Sequence, residues 1–442
     1  MARLRSRHDR EILRLAIPAL GALAAEPLYL LTDTAIVGHL GTLELAALAL
    51  AATVLSALVT LCNFLTYGTT ARVARLLGAG EEAAAGRIAA QGLWLALGLG
   101  AVLALLTVAA ARPLVTLLGG EGRTADLCVQ YLRIASLGVP FALIALAGQG
   151  YLRGADRLSR PLVVVIAGNA ANVVLEVVFV YGLDWGLRGS AWGTVLAQAG
   201  MGAAFAWELL RAPADTRRPL VRELRAQLRV GGDIAVRTGA LLGSFTVASA
   251  VLARIGEPSL AAHQIAFQLF VFLALVLDAL AIAGQVMVGR ALGSGDAAAA
   301  AEAGRRLIAL SVAVGCGFAL LLLAGSGVVP RAFTSDAAVI DRADALWPLF
   351  ALLQPVGAAV FALDGILIGA EDTRFIKWSM VFAALSVFAP LCLLAYELDW
   401  GVVGVWCGLN ALMVARLATM GARFAGGRWA VTGLGRSEAL GG

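Results

Sequence analysis

Ala16–Gly41 is the most informative stretch of the sequence. Over about twenty residues it is apolar enough to cross a bilayer. It nevertheless contains two acidic residues, Glu26 and Asp33, and two prolines, Pro18 and Pro27. On insertion scales an acidic side chain near the centre of a spanning helix costs about 2.5 to 3.5 kcal/mol, and an interior proline bends the helix. Glu26 and Asp33 are two helical turns apart on one face, so we expect both carboxyls to enter one cavity.

The whole chain has the composition of a polytopic membrane protein. It is 60% hydrophobic and 14% charged, whereas soluble domains average about 45 to 50% and about 25%. Twelve apolar windows are long enough to span a bilayer, at approximately 14–37, 45–71, 90–111, 130–152, 161–183, 190–210, 236–254, 260–288, 307–328, 346–368, 376–397 and 401–421. Little sequence remains for a soluble catalytic domain, and no motif of an intramembrane enzyme is found, so we predict that the protein is not an enzyme.

The distribution of basic residues predicts the topology. With the amino terminus in the cytoplasm, 27 of the 34 Lys and Arg residues fall in cytoplasmic segments and seven in outer ones. This asymmetry follows the positive-inside rule and places both termini in the cytoplasm of a multi-pass cell-membrane protein. The net charge of +5 therefore does not indicate nucleic-acid binding. Five scattered cysteines without a CxxC pair are interpreted as buried small apolar residues, and no metal site or bound cofactor is expected.

The chain contains one unit used twice. A constant shift of 215 residues superimposes Gly41 on Gly256, Arg75 on Arg290, Gly78 on Gly293, Pro140 on Pro355 and Asp184-Trp185-Gly186 on Asp399-Trp400-Gly401. We predict an all-α protein of two six-helix lobes, 1–210 and 231–442, related by a pseudo-two-fold axis along the membrane normal. The basic segment 211–230 is predicted to be a cytoplasmic amphipathic linker. The repeated Asp-Trp-Gly segments are interpreted as anchors at the membrane interface.

Several short motifs carry a family resemblance. They are DTAIVGHLG (33–41), RVARLLGAG (72–80), AAHQ (261–264), VGRALGSG (288–295) and LDGILIGAEDT (363–373). Together they resemble the multidrug and toxic compound extrusion (MATE) family, and the absence of an acidic residue from the seventh span is similar to its DinF-like branch. The resemblance implies a secondary antiporter that exports organic, often cationic, compounds against an influx of H+ or Na+. We expect the protein to be a monomer. Its expected partners are these small molecules and membrane lipids.

The resemblance also implies a coupling-ion site in the first lobe. Carried over residue by residue, that site consists of Asp33, Glu176, Asn172, Thr194 and Tyr131, with Pro18 as a bend of the first helix. The sequence itself adds Glu26, where relatives often have an amide, and a second bend at Pro27. Apart from the family, Asn169, Asn172 and Glu176 form one polar stripe on the fifth helix. Carboxyls buried close together can take up and release a proton as their exposure changes. The sequence thus predicts a proton switch.

The second lobe has its own carboxylates, Asp278 and Asp364, which we predict to bind substrate or ion, with interhelical hydrogen bonding as the alternative. The charges were not duplicated with the fold, because Asp33 corresponds to Ala248 and Glu176 to Leu391 under the 215-residue shift. Mostly acidic intramembrane charges favour cationic cargo. The alternative function is a flippase for a lipid-linked oligosaccharide, which would need a more cationic cavity.

Overall fold

Long α-helices make up nearly all of the chain, and they lie where the apolar windows predict them. The computed structural model describes residues 7–434, and no β-strand occurs in that range. The predicted all-α class is therefore confirmed. The described residues form two units, which we call the N-lobe (Pro18–Gly231) and the C-lobe (the residues before Pro18 and from Gly232 onward).

The N-lobe contains six membrane-length segments. They are built from α1 (Arg7–Gly38), α2 (Thr42–Cys62), α3 (Phe64–Gly78), α4 (Glu82–Leu117), α5 (Gly122–Ala135), α6 (Val139–Gly154), α7 (Ser159–Val177) and α8 (Gly186–Arg211). Asn63 separates α2 from α3, a 3-10 turn (Ser136–Gly138) joins α5 to α6, and a π-helical turn (Val178–Gly182) extends α7. α1 begins in the C-lobe and enters the N-lobe at Pro18.

The C-lobe repeats this arrangement. Its helices are α9 (Val221–Ile255), α10 (Glu257–Gly293), α11 (Ala297–Ala324), α12 (Val329–Phe333), α13 (Ala337–Gly369), α14 (Thr373–Phe382), α15 (Ala389–Glu397) and α16 (Gly401–Ala425). A π-helical turn (Ala383–Phe388) joins α14 to α15. α9 begins in the N-lobe and enters the C-lobe at Gly232.

Eleven segments within residues 7–434 are long and apolar enough to cross a membrane. The remaining predicted window, 190–210, corresponds to α8, which has 26 residues but a lower hydropathy because glycines, hydroxyls and one glutamine interrupt its apolar surface. With α8 included, each lobe has six segments, as the sequence predicts. The helix that is least apolar therefore belongs to the N-lobe, where it supplies polar side chains to the site described below.

The 215-residue shift reappears in the backbone. It relates the helix starts Thr42 and Glu257, Glu82 and Ala297, and Gly186 and Gly401, and the helix ends Gly78 and Gly293, and Gly154 and Gly369. It also relates residues in the left-handed region, with φ of 53° at both Asp184 and Asp399. The repeated Asp-Trp-Gly segments are thus turns that need two left-handed residues, and interface anchoring accounts only for their half-exposed tryptophans, Trp185 and Trp400.

Close helix packing explains the repeated prolines. A Cβ atom on Gly100 of α4 would lie 2.5 Å from Cα of Pro140, and one on Gly315 of α11 would lie 2.8 Å from Cα of Pro355. Each proline therefore packs directly against a backbone that has no side chain. Pro140 lies at the start of α6, whereas Pro355 lies inside α13.

The first helical turns of the chain are held in the C-lobe. Arg306 on α11 donates from Nε and from a terminal nitrogen to the two carboxylate oxygens of Asp9, each at 2.6 Å. This two-point ion pair explains why the residues before Pro18 belong to the C-lobe, although the sequence-based boundary put the whole of 1–210 in the first lobe.

The segment predicted to be a free linker is bound to the N-lobe. Gln91 on α4 accepts from the backbone N–H of Leu220 and donates to the carbonyl of Arg218, each at 2.8 Å. Arg72 forms an ion pair of 2.8 Å with Glu223 at the start of α9. Residues 212–220 are not helical, and α9 then continues without a break to Ile255. The predicted linker helix is therefore the first part of a longer helix.

Candidate functional site

The polar stripe on α7 faces neighbouring helices, as its spacing predicts. Asn169 donates from its side-chain amide to the carbonyl of Ala25 on α1 at 3.0 Å. Asn172 and Glu176, one and two turns further on, are buried, at 2% and 0% exposure. Burial of an amide and a carboxyl on an otherwise apolar helix requires polar partners. α1 and α8 supply them.

A pair of carboxyl groups forms the centre of this cluster. Asp33 and Glu176 are both buried, and their carboxyls lie within direct hydrogen-bonding reach of each other. Ser190 on α8 lies between them, with its hydroxyl 3.0 Å from Oδ1 of Asp33 and 3.5 Å from Oε1 of Glu176. A hydroxyl has one proton to donate, so Ser190 serves one carboxylate at a time. The arrangement is suited to holding one proton between two acids.

Glu176 is only partly satisfied by its neighbours. Thr194 on α8 donates to Oε1 at 3.4 Å. With its amide oriented to satisfy both ends, Asn172 also donates to Oε1 at 3.2 Å and accepts from the backbone N–H of Thr194 at 3.2 Å. Oε2 is buried and receives no hydrogen bond. A buried carboxyl oxygen without a donor is costly, and a proton held at the pair relieves that cost.

Two tyrosines complete the cluster. The hydroxyl of Tyr29 on α1 lies 3.2 Å from Oγ1 of Thr194. Tyr131 on α5, a residue only 3% exposed, is a neighbour of Ser190 and Thr194. The predicted residues Asp33, Tyr131, Asn172, Glu176 and Thr194 are thus brought together by four helices, α1, α5, α7 and α8. Their role as a coupling site stays a prediction.

A cavity of about 210 Å³ lies in the N-lobe beside this cluster. Its polar lining consists of Glu26, Tyr29, Asn63, Thr66, Tyr67, Gln149, Arg153, Asn169, Asn172, Thr194 and Gln198. The expectation that Glu26 and Asp33 share one cavity is wrong, because Asp33 is not in its lining. The side chain of Tyr29 lines the cavity and bonds to Thr194 of the cluster. Glu26 belongs to the cavity and not to the carboxyl pair.

α1 runs as a helix through both of its prolines. Pro18 and Pro27 each remove one N–H from the hydrogen bonds of the helix, so this helix is locally weaker than an uninterrupted one. Pro18 is also the first residue of the N-lobe. The predicted bending at these two positions stays a prediction.

Asp364 on α13 has partners that the sequence analysis did not foresee. It accepts hydrogen bonds at Oδ2 from Arg237 on α9 and from Arg416 on α16, the latter at 2.6 Å. Arg416 is 0% exposed and Asp364 is 3% exposed. The role of Asp364 in binding substrate or ion stays a prediction. Asp278 lies half-buried on α10.

Ser190 and Tyr29 were not predicted from the sequence, and Arg153, Arg237 and Arg416 were among the basic residues assigned to cytoplasmic segments. Ser190 and Thr194 are four residues apart, which places both on one face of α8. That spacing was a usable signal. The three arginines are buried or nearly so inside the lobes, and a count of charges by window cannot separate a buried arginine from a flanking one.

A duplicated six-segment helical membrane protein, with a buried acid pair beside a cavity in one lobe, has the features of a transporter. Comparisons with known proteins agree. The MatE family model matches residues 18–178 and 234–394, once in each half of the chain. The chain belongs to the MATE family of transporters.

Individual relatives cover nearly the whole chain. It is 32% identical over 426 residues to Protein DETOXIFICATION 44, chloroplastic, of Arabidopsis thaliana, covering 92% of this chain and 80% of that protein. It is 30% identical over 418 residues to DNA damage-inducible protein F of Escherichia coli (strain K12), covering 92% and 90%. Among solved structures, the outward-facing conformation of a multidrug resistance MATE family transporter of the MOP superfamily matches with a TM-score of 0.83, 24% identity and coverage of 99% and 97%.

Proposed function

We propose that this protein is a proton-coupled antiporter that exports organic, cationic or amphipathic compounds. Its N-lobe cavity holds the compound, and the pair Asp33 and Glu176 takes up the proton that drives export. Na+ is the alternative coupling ion. The family match and the multidrug resistance named for a structural relative support the class of cargo.

One observation carries the proposal: the acid pair and the cavity share a wall. Thr194 and Asn172 line the cavity, and both bond to Glu176 on the other side. A change in the charge of the pair therefore changes the hydrogen bonding of residues that contact a ligand. Binding of the ligand and binding of the proton can therefore each favour a different packing of α1. Coupling requires such a difference in how the two ligands interact with the two states.

The cavity lining offers a partner for a cationic group. Its two charged residues are Glu26, which supplies a carboxylate for such a group, and Arg153, which donates to Gln149 at 3.1 Å. The remaining polar groups are amides and hydroxyls, which suit polar aromatic compounds. A flippase for a lipid-linked oligosaccharide would need a strongly cationic cavity, and the lining described here is not strongly cationic.

We further propose that the protein lies in the cell membrane with both termini in the cytoplasm. It contacts lipid and acts as a monomer. No cofactor takes part, and the only co-transported species is the ion.

The test is transport by the purified protein in proteoliposomes. Ethidium export is measured under an imposed pH gradient and, separately, under an imposed Na+ gradient, for the wild type and for Glu176→Gln. We expect the pH gradient alone to drive export, and Glu176→Gln to lose that response while still binding ethidium. Export driven by the Na+ gradient alone would identify Na+ as the coupling ion in place of H+. No export under either gradient would overturn the proposed cargo class.

A further inference from the structure

A second cavity, of about 790 Å³, lies at the end of the N-lobe where α1 ends and α8 begins. We call it the outer pocket, because this is the end predicted to face away from the cytoplasm. It has five charged lining residues, Glu44, Arg123, Asp126, Asp184 and Arg188. A water molecule occupies about 30 Å³ of liquid, so the pocket has room for many waters.

The acid pair lies between the two cavities. On α1 the ligand cavity is lined as far as Tyr29 and the pair contributes Asp33, and the outer pocket begins at Leu40, just past the end of α1. At a rise of about 1.5 Å per residue, Asp33 lies about 6 Å from Tyr29 and about 7.5 Å from the end of α1 along the axis. The same order holds on the segment of α7, where Asn172 lines the ligand cavity, Glu176 belongs to the pair and Asp184 lines the outer pocket.

Tyr131 belongs both to the lining of the outer pocket and to the surroundings of the pair. It lines that pocket, yet it is only 3% exposed, and Ser190 and Thr194 are its neighbours. Its titratable neighbours are the two carboxyls and Tyr29. A phenol hydroxyl is both a donor and an acceptor. It can pass its own proton inward while it accepts one from a water in the outer pocket, so the phenol is unchanged at the end of the transfer.

We propose that protons reach Asp33 and Glu176 from the outer pocket, past Tyr131, by a route separate from the ligand cavity. The inference deepens the proposed function and rests on it. Two routes allow the proton to enter while ligand occupies the other side of the pair. A single shared cavity would oblige ligand to leave before the proton could arrive.

The experiment narrows the outer pocket without touching the pair. Gln130 lines the pocket and accepts from Nε of Arg188 at 3.1 Å. We would introduce Gln130→Cys after replacing the exposed Cys316 and Cys407 by Ala, and attach a bulky uncharged maleimide. Proton uptake after a pH jump is followed with a trapped pH dye, and equilibrium ethidium affinity is measured at fixed pH. The matched control is Leu117→Cys, which is 82% exposed and lines neither cavity.

We expect modification of Gln130→Cys to slow proton uptake by at least about 10-fold, since general acid–base steps contribute about 10²-fold or more, with ethidium affinity unchanged. Modified Leu117→Cys should match the wild type. Tyr131→Phe, which keeps the ring and removes the hydroxyl, should slow proton uptake in the same way without modification.

Two results would overturn the route. One is unchanged proton uptake in both modified Gln130→Cys and Tyr131→Phe. The other is a loss of ethidium affinity without slower proton uptake, which would assign the outer pocket to ligand. Failure of the proposed function is distinguishable, because wild-type protein would then show no ethidium-linked proton movement at all.

Discussion

The two lobes share a backbone but differ at the same positions in what they bury. Under the 215-residue shift, the cluster residues Asp33, Tyr131, Ser190 and Thr194 correspond to Ala248, Leu346, Val405 and Leu409. All four counterparts are buried in the apolar core of the C-lobe, with exposures of 0 to 2%. The scaffold therefore does not need the polar cluster for its own stability. A cluster kept in only one lobe is expected to serve function.

At the ligand cavity the C-lobe, and not the N-lobe, has the charged residues at equivalent positions. Three of its lining residues, Ala22, Gln149 and Met201, correspond to Arg237, Asp364 and Arg416. In the C-lobe those three form the buried ion-pair triad. What is an open, mostly neutral cavity in one lobe is thus occupied by charged side chains in the other. Equivalent positions of the duplicated framework thus carry different side chains in the two lobes.

The largest expected effect is on transport, which should depend on the acid pair of the N-lobe and not on the ion-pair triad of the C-lobe. Asp33→Asn should reduce pH-driven ethidium export to the background of protein-free vesicles, because an amide cannot take up the coupling proton. The triple variant Arg237→Ala/Asp364→Gln/Arg416→Met, which gives the C-lobe the residues of the N-lobe, should retain export. Glu121→Gln, an exposed acid of the N-lobe, is the control for mere loss of charge. Equal losses of ethidium export in Asp33→Asn and in the triple variant would show that coupling does not depend on the N-lobe alone.

A second effect is on stability and concerns the triad. Arg416→Met alone should destabilise the protein by about 3 to 5 kcal/mol, because it removes one partner of a buried ion pair. The triple variant should be less destabilised than this single change, since it removes every charge of the triad together. Thermal unfolding in detergent checks the order. A triple variant that melts below Arg416→Met would show that the charges contribute independently.

A smaller effect tests what the lobes have in common. Gly100→Ala and Gly315→Ala each place a methyl group against a proline Cα, and each should cost about 1 to 3 kcal/mol. Similar losses of thermal stability are expected, because this contact belongs to the duplicated framework. Gly98→Ala, where an added Cβ meets nothing within 4 Å, is the matched control. A large difference between the two lobes would argue against a shared framework.

The smallest expected effect concerns Ser190. Removing its hydroxyl in Ser190→Ala takes away one donor from the acid pair, a change of about 1 kcal/mol or about 5-fold in the rate of export. Ser190→Thr keeps a hydroxyl and should recover most of the rate. Initial rates of ethidium export in proteoliposomes make the comparison. Equal rates in the Ala and Thr variants would exclude the hydroxyl from coupling.

The sequence predicted the architecture well because its signals are strong and local. Apolar windows, the positions of glycines and the 215-residue repeat required no knowledge of side-chain contacts, and the helix boundaries follow the same shift. The polar stripe of Asn169, Asn172 and Glu176 was also predictable, because helical periodicity alone places the three on one face.

Other features could not be predicted, since they depend on which helices meet. Glu26 and Asp33 share a helix face, yet only Glu26 lines the cavity, and only the packing of α1 against α8 places Tyr29 beside Thr194. Arg416 and Asp364 are 52 residues apart in the chain, so their pairing carries no local signal. The two arginine partners of Asp364 could not be predicted for the same reason, and its role in binding substrate or ion stays a prediction.

The most direct measurement is ligand-triggered proton release from the purified protein in weakly buffered detergent solution. A pH dye reports the protons released when ethidium is added. The account predicts release from the wild type and from the C-lobe triple variant, and none from Asp33→Asn. Full release from Asp33→Asn, together with none from the triple variant, would place proton coupling in the C-lobe and contradict the account.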